Sequence, residues 1–317
     1  MAKKVFSKKQ LETLSAEEII DKIQHENYSL LATLGAEKLR KEMVPVGKVC
    51  NAAINYVLGT TWPKDDDGAH VRKARAKLVK KLRWLTPGTY DDFPKDSKNG
   101  LVIGFNHPSL GEIARILMMK IDIMGEKPML FPVNLPWYEA LAGDYDRILK
   151  LGIIITPTIT PSTWKKLKLR KGSALYETGS RIKRDFRNLY TQKSHEVLKT
   201  GGVIFVAPSA TRQTTVFSSQ AVYDKSEPII PTMSVLALEL YKDPAMNCDF
   251  MPVAVLPPDG YKKGLNFFKK YQLIPGEVMH ADEIRKKYYK KNADKLPEFD
   301  YEFHKRIADK LPKKIWY

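Results

Sequence analysis

From Leu101 onward the chain alternates short apolar runs with longer segments of helical character, and that alternation limits the fold more than any other feature. The runs Leu101–Phe105, Met129–Val133, Gly152–Thr156, Val203–Ala207 and Phe250–Leu256 have the length and texture of strands. Helical segments are expected at Ser109–Ile121, Trp137–Leu151, Ser173–Thr200 and Thr232–Tyr241, with Gly201-Gly202 ending the long one as a C-terminal cap would. Strands that take turns with helices argue for an α/β domain, a mixed central sheet flanked by helices. In such sheets ligands gather just beyond the carboxyl ends of the strands.

The part that precedes this pattern reads differently. Residues Leu11 to Leu85 are helical in texture, starting at Ser15, a cap followed by Glu17 and Glu18 in the first turn. Apolar residues then recur at Ile19, Ile20, Ile23, Leu30 and Leu31, and a basic helix is expected at Val71–Trp84. The expected organisation is a small N-terminal helical bundle over 1–85, a linker over 86–100 rich in Pro, Gly, Asp and Lys, and the α/β domain over 101–317.

Among 317 residues, 43% are hydrophobic, enough for a buried core, and the net charge is +17. That surplus calls for an anionic partner: nucleic acid, an anionic membrane face, a phosphate-bearing substrate or an acidic protein. The longest uncharged apolar-leaning stretch, Leu151–Trp164, is broken by Pro157 and Pro161, whereas a spanning helix needs about 20 apolar residues. No transmembrane helix is expected, and the N-terminus lacks the apolar core of a signal peptide, so the expected location is the cytoplasm. Cys50 and Cys248 stand far apart and the six histidines are scattered, so neither a disulfide nor a metal site is expected.

Two motifs carry chemistry, each at the end of an expected strand. The first runs Ile103-Gly104-Phe105-Asn106-His107-Pro108-Ser109-Leu110-Gly111-Glu112. An imidazole with an ordinary pKa near 6.5 is suited to take a hydroxyl proton at neutral pH, and a carboxylate five residues on can orient it and stabilise its charged form. The same residues also spell a capping box, with Ser109 as cap and Glu112 at the third helical position. The second motif is Val203-Ile204-Phe205-Val206-Ala207-Pro208-Ser209-Ala210-Thr211-Arg212-Gln213. Small residues there let backbone amides approach an anion, and Arg212 can hold a phosphate through two parallel hydrogen bonds. Read alone, it is more readily a polar loop carrying a solvated arginine.

Taken together, the two motifs resemble the glycerolipid acyltransferase family. Its first block reads Asn-His, four residues, Asp; Asn106, His107 and Glu112 stand on that pattern, with Glu in place of Asp. Its third block usually reads Pro-Glu-Gly-Thr-Arg; Pro208, Thr211 and Arg212 match, and Ser209 and Ala210 depart. A Pro-Ser start, with an N-terminal helical bundle, is similar to the soluble chloroplast glycerol-3-phosphate acyltransferases. Counterparts of the fourth and second blocks are Phe250–Val255, a strand containing Pro252, and Leu151–Ile155, which lacks the arginine expected after it.

The resemblance implies transfer of a fatty acyl group from acyl-CoA or acyl carrier protein to glycerol 3-phosphate or lysophosphatidate, with no bound cofactor. It gives His107 the role of base, Glu112 that of its partner, and Arg212, Thr211 and Ser209 that of holding the acceptor phosphate, while Asn106 shapes the turn that aims His107. Nine basic residues between Lys165 and Arg187 face only Glu177 and Asp185. Lys165 and Lys166 are the candidates to replace the missing phosphate ligand, the others being suited to lipid headgroups, an acidic carrier protein or plain solvent. Basic and aromatic residues mix at Leu265–Lys270 and Lys313–Tyr317, a pattern that can attach a protein peripherally to an anionic inner membrane surface. The rivals are a basic nucleic-acid-binding protein using Phe267, Tyr288 and Tyr289, disfavoured because no recognisable motif accompanies them, and a family member that binds lipid without turning it over.

Overall fold

The computed structural model describes residues 3–43, 99–106, 127–150, 152–208, 232–256, 272–289 and 296–311, with single helical positions at 45, 48, 73, 76 and 80. The expected helix Ser109–Ile121, most of the N-terminal bundle beyond residue 43, and the segments Leu265–Lys270 and Lys313–Tyr317 lie outside these residues. Of the expected linker, only Asn99 and Gly100 are described, and Gly100 already belongs to the first strand.

The protein is α/β. Six strands, β1 (Gly100–Phe105), β2 (Met129–Asn134), β3 (Ile153–Thr158), β4 (Val203–Val206), β5 (Cys248–Leu256) and β6 (Gln272–Pro275), form a mixed sheet in the order β3-β2-β4-β1-β5-β6, flanked by helices. The chain divides into two compact units, one of 1–74 with 130–193 and one of 75–129 with 194–317.

In the second unit, β1 is the centre. It runs parallel to β4, Leu101 opposite Val203 through Gly104 opposite Val206, and parallel to β5, Gly100 opposite Cys248 through Phe105 opposite Val253. Every residue of β1 and β4 is buried, and so is β5 as far as Val255. Such unbroken apolar burial is what parallel strands covered on both faces require. The edge strand β6 runs antiparallel to β5, with Val253 opposite Pro275.

Helices of this unit close over the sheet. The 26-residue helix Ala174–Lys199, which crosses from one unit into the other, stops where the sequence says it should. Gly201 takes the left-handed conformation at φ 70°, and the Gly202 amide donates to Val197 O at 2.9 Å. Thr232–Tyr241 and Leu296–Ala308 pack on one another, and the latter lies against β5. Its Phe303 ring occupies the space that a side chain at Gly104 would need: a Cβ there would sit 2.6 Å from Phe303 Cζ and 3.1 Å from Met233 Cε.

The first unit begins with α1 (Lys8–Thr13) and α2 (Ala16–His25), each closed by a capping box, Ser7 with Gln10 and Ser15 with Glu18. A four-residue helix, α3 (Leu30–Thr33), follows, and residues 37–43 are helical again. The expected helix Trp137–Leu151 is instead α4 (Leu135–Leu141) and α5 (Tyr145–Lys150), separated by a 3₁₀ turn at Ala142–Asp144. It starts two residues early because Pro136, lacking an amide proton, is at home in a first turn. Both helices pack on β3. Next comes α6 (Pro161–Leu167), capped by Thr160, and then the long helix, here α7, so that Thr232–Tyr241 is α8 and Leu296–Ala308 is α10, with the short α9 (Ala281–Ile284) between them.

Glu139 of α4 ties these parts together. It is buried, and its carboxylate accepts from Ser29 Oγ at 2.6 Å and the Leu31 amide at 2.9 Å, satisfying the first turn of α3. Burial pushes its carboxyl above the usual range, opposed by those donors and by the charge of Lys3. Among the described residues no helix is long and apolar enough to cross a membrane.

Two outcomes follow from this packing. Gly104→Ala should lose about 1–3 kcal/mol in denaturant unfolding through overpacking, and Phe303→Leu in the same chain should recover part of it. At Glu139 the folded state holds its proton to higher pH than the unfolded chain, so its contribution is complete below the ordinary value of 4.5 and is lost as pH rises through the raised folded value. Glu139→Gln should therefore gain stability relative to wild type as pH rises across that window, read from unfolding midpoints at stepped pH.

Candidate functional site

The carboxyl ends of β1 and β4 lie side by side. The register ends with Gly104 opposite Val206, so the two parallel strands deliver the chain to the same edge of the sheet within one unit. The first motif continues from β1 and the second from β4. At this edge Asn106, Ala207 and Pro208 are described, whereas His107, Glu112, Ser209, Thr211 and Arg212 lie outside the described residues.

Asn106 shows how the edge is built. The residue is buried, and its side chain does the work of one more strand residue. Its Nδ2 donates to Val255 O at 3.0 Å and its Oδ1 accepts from the Val255 amide at 2.6 Å. The ladder between β1 and β5 is thereby extended past Phe105, and the backbone entering residue 107 leaves from a fixed point. Aspartate, equal in shape, has no donor for Val255 O. β5 tolerates Pro252 opposite Gly104, while the Pro252 carbonyl accepts from the Gly276 amide at 2.7 Å.

Lys165 and Lys166 are exposed in the last turn of α6, in the other unit. That is the carbonyl end of a helix, which favours cations. The cations therefore have a local reason to be there that needs no phosphate. The aromatic residues offered for base stacking also have other duties: Tyr288 is buried with its ring centroid 5.3 Å from that of Phe299, and Tyr289 packs edge-on against Tyr241 at 5.4 Å. Phe267 lies outside the described residues.

Several buried polar groups give no sign in the sequence. Asp249 accepts from the Ala281 amide at 3.0 Å, with His280 Nδ1 3.4 Å away, at the opposite edge, beside the start of β1. Asp300 accepts from the amides of Met233 and Ser234 at 2.9 and 3.2 Å, closing the first turn of α8. Neither neighbouring reactive group is poised for chemistry at neutral pH. Burial drives the Cys248 thiol up to about 12 and His304 down to about 4, so the first stays protonated and the second stays neutral. Among the described residues, no group of three or more His, Cys, Asp or Glu could hold a metal ion.

Asn106→Ala should strand the buried amide and carbonyl of Val255 and lower stability by about 1–3 kcal/mol, and Asn106→Asp, which sets a buried carboxylate oxygen against the Val255 carbonyl, should lose at least as much at neutral pH; chemical denaturation of both variants checks the order. Comparison of the chain with protein-family models, with curated proteins and with solved structures gives no match.

Proposed function

We propose that the protein is an acyltransferase that moves a fatty acyl group from a thioester of coenzyme A or acyl carrier protein onto glycerol 3-phosphate or lysophosphatidate. One observation supports this above all: the strands that carry the His107 and Arg212 motifs are adjacent, parallel and end at one sheet edge. Two distant stretches of sequence thus start from neighbouring points, as a base and a phosphate holder acting on one small acceptor require.

In the proposed reaction, the His107 imidazole takes the proton of the acceptor hydroxyl as its oxygen attacks the thioester carbonyl. The carbon–sulfur bond then breaks, the sulfur takes the proton from the imidazolium, and an ester remains. Glu112 orients His107 and offsets its positive charge. Arg212, with the Thr211 hydroxyl and the amides around Ser209, holds the acceptor phosphate and so fixes the hydroxyl near the base. Asn106 supports this by holding the strand end from which His107 departs. On this reading the protein works in the cytoplasm or at the inner membrane surface.

Purified protein should transfer acyl groups from a long-chain acyl-CoA to glycerol 3-phosphate. His107→Ala should lower the rate roughly 100- to 10,000-fold. Arg212→Ala should raise the KM for glycerol 3-phosphate more than it lowers kcat. Equal turnover by wild type and His107→Ala would overturn the proposal.

A further inference from the structure

The first unit carries a charged corner that acyl transfer does not use. Between α6 and α7 the chain turns through Lys168, at φ 51°, and Gly172, at φ 80°, both left-handed. A side chain added at Gly172 would meet nothing within 4 Å, so this turn stands out in solvent. The corner is nevertheless firmly built. The Trp164 ring of α6 meets Tyr176 of α7 edge-on at 5.5 Å, Lys183 Nζ lies 5.2 Å from the Trp164 ring centroid, and Gly179 lets Trp164 and Leu169 press onto α7.

From this base Lys165, Lys166, Lys168, Arg170 and Lys171 are all exposed, and none has an ion-pair partner among the described residues. Elsewhere the described helices neutralise such cations locally: Lys22 with Glu26, Arg40 with Glu37, Arg147 with Asp144 and Arg181 with Asp185. Beside the five cations, Leu175 is 38% exposed in the first turn of α7. Unopposed positive charge around a partly exposed leucine fits a flat, anionic, apolar-backed surface. A nucleic acid would use the charge and leave the leucine idle, and the nearby aromatic rings are already engaged with each other.

We propose that the α6–α7 corner docks the protein on a membrane rich in anionic lipid, its cations against the headgroups and Leu175 at the boundary with the acyl chains. The inference goes beyond acyl transfer and does not depend on it, since docking is measured without turnover. Each basic residue near an anionic surface adds about fivefold in partitioning. Three neutralised together should therefore cost about a hundredfold.

The test is co-sedimentation of the full chain with vesicles of phosphatidylcholine alone or of phosphatidylcholine and phosphatidylglycerol in equal parts. Wild type should bind only the second kind. Lys168→Asn, Arg170→Gln and Lys171→Gln combined should lower that partitioning about a hundredfold. Lys8→Gln, Lys41→Gln and Lys242→Gln combined, which reach the same net charge from exposed and ion-paired positions, should change it far less. Leu175→Ser should weaken vesicle binding and leave binding to soluble polyglutamate intact, whereas Leu175→Trp should strengthen vesicle binding. Vesicle binding unaffected by the corner variant overturns the proposal. So does a corner variant that loses polyglutamate or RNA while both Leu175 variants bind vesicles like wild type, because the corner then serves a soluble polyanion.

Discussion

The hydrogen bonding of β1 on both sides is the constraint from which the rest of its unit follows. A strand buried on both faces can leave no amide or carbonyl unpaired, because each orphan would cost roughly 1–3 kcal/mol. β1 meets this demand with a parallel ladder to β4 on one side and to β5 on the other. Where the backbone ladder to β5 runs out, the Asn106 amide supplies both the donor and the acceptor that Val255 needs. The strand end is thus held by the same bonds that hold the sheet. The proposed base, His107, follows this strand end by one residue.

A second device recurs in both units. Glu139, Asp249 and Asp300 are buried carboxylates, and each accepts from the first amides of a helix far away in sequence. Water would otherwise satisfy those amides, and burying the helix end removes it. A carboxylate replaces the lost water and also lies favourably at the positive end of the helix. Desolvation opposes the arrangement, and the raised carboxyl pKa values of Glu139 and Asp300 reflect that opposition. The bonds pin α3 to α4, α9 to β5 and α8 to α10, so they fix topology as much as they add stability.

This division between local and distant causes decides what could be read from the sequence. The strands β1 to β5 follow from their own apolar runs, and the ends at Ser15 and Gly201 follow from cap chemistry confined to a few residues. β6 has no signal of its own in the sequence because Gln272–Pro275 is short and half-exposed, and it becomes a strand only by pairing with β5. The π-helical turn at Arg285–Tyr289 has no local signal either; it is held where Arg285 lies over the Tyr241 ring and donates to the carbonyls of Asp243 and Met246. At Asn106 nothing in the neighbouring sequence announces the bonds to Val255, 149 positions away. The buried acids look like surface residues in a sequence, since nothing nearby announces the helix they will cap. For the candidate site the sequence supplies the residues, and the fold adds that their two parent strands are neighbours.

The charge of +17 likewise acts on a partner through local causes. Net charge is a global number, yet the fields a partner meets are local, because in physiological salt an exposed charge is screened over about 8 Å. Along most described helices a cation has an acid three or four residues away, so those surfaces are close to balanced at that range. A partner meets the surplus most strongly where acids are missing from the sequence neighbourhood. Lys165 to Lys171 is such a place, five cations in a stretch with no acid before Glu177. Spacing between opposite charges, more than their sum, therefore marks where an anionic partner can be held.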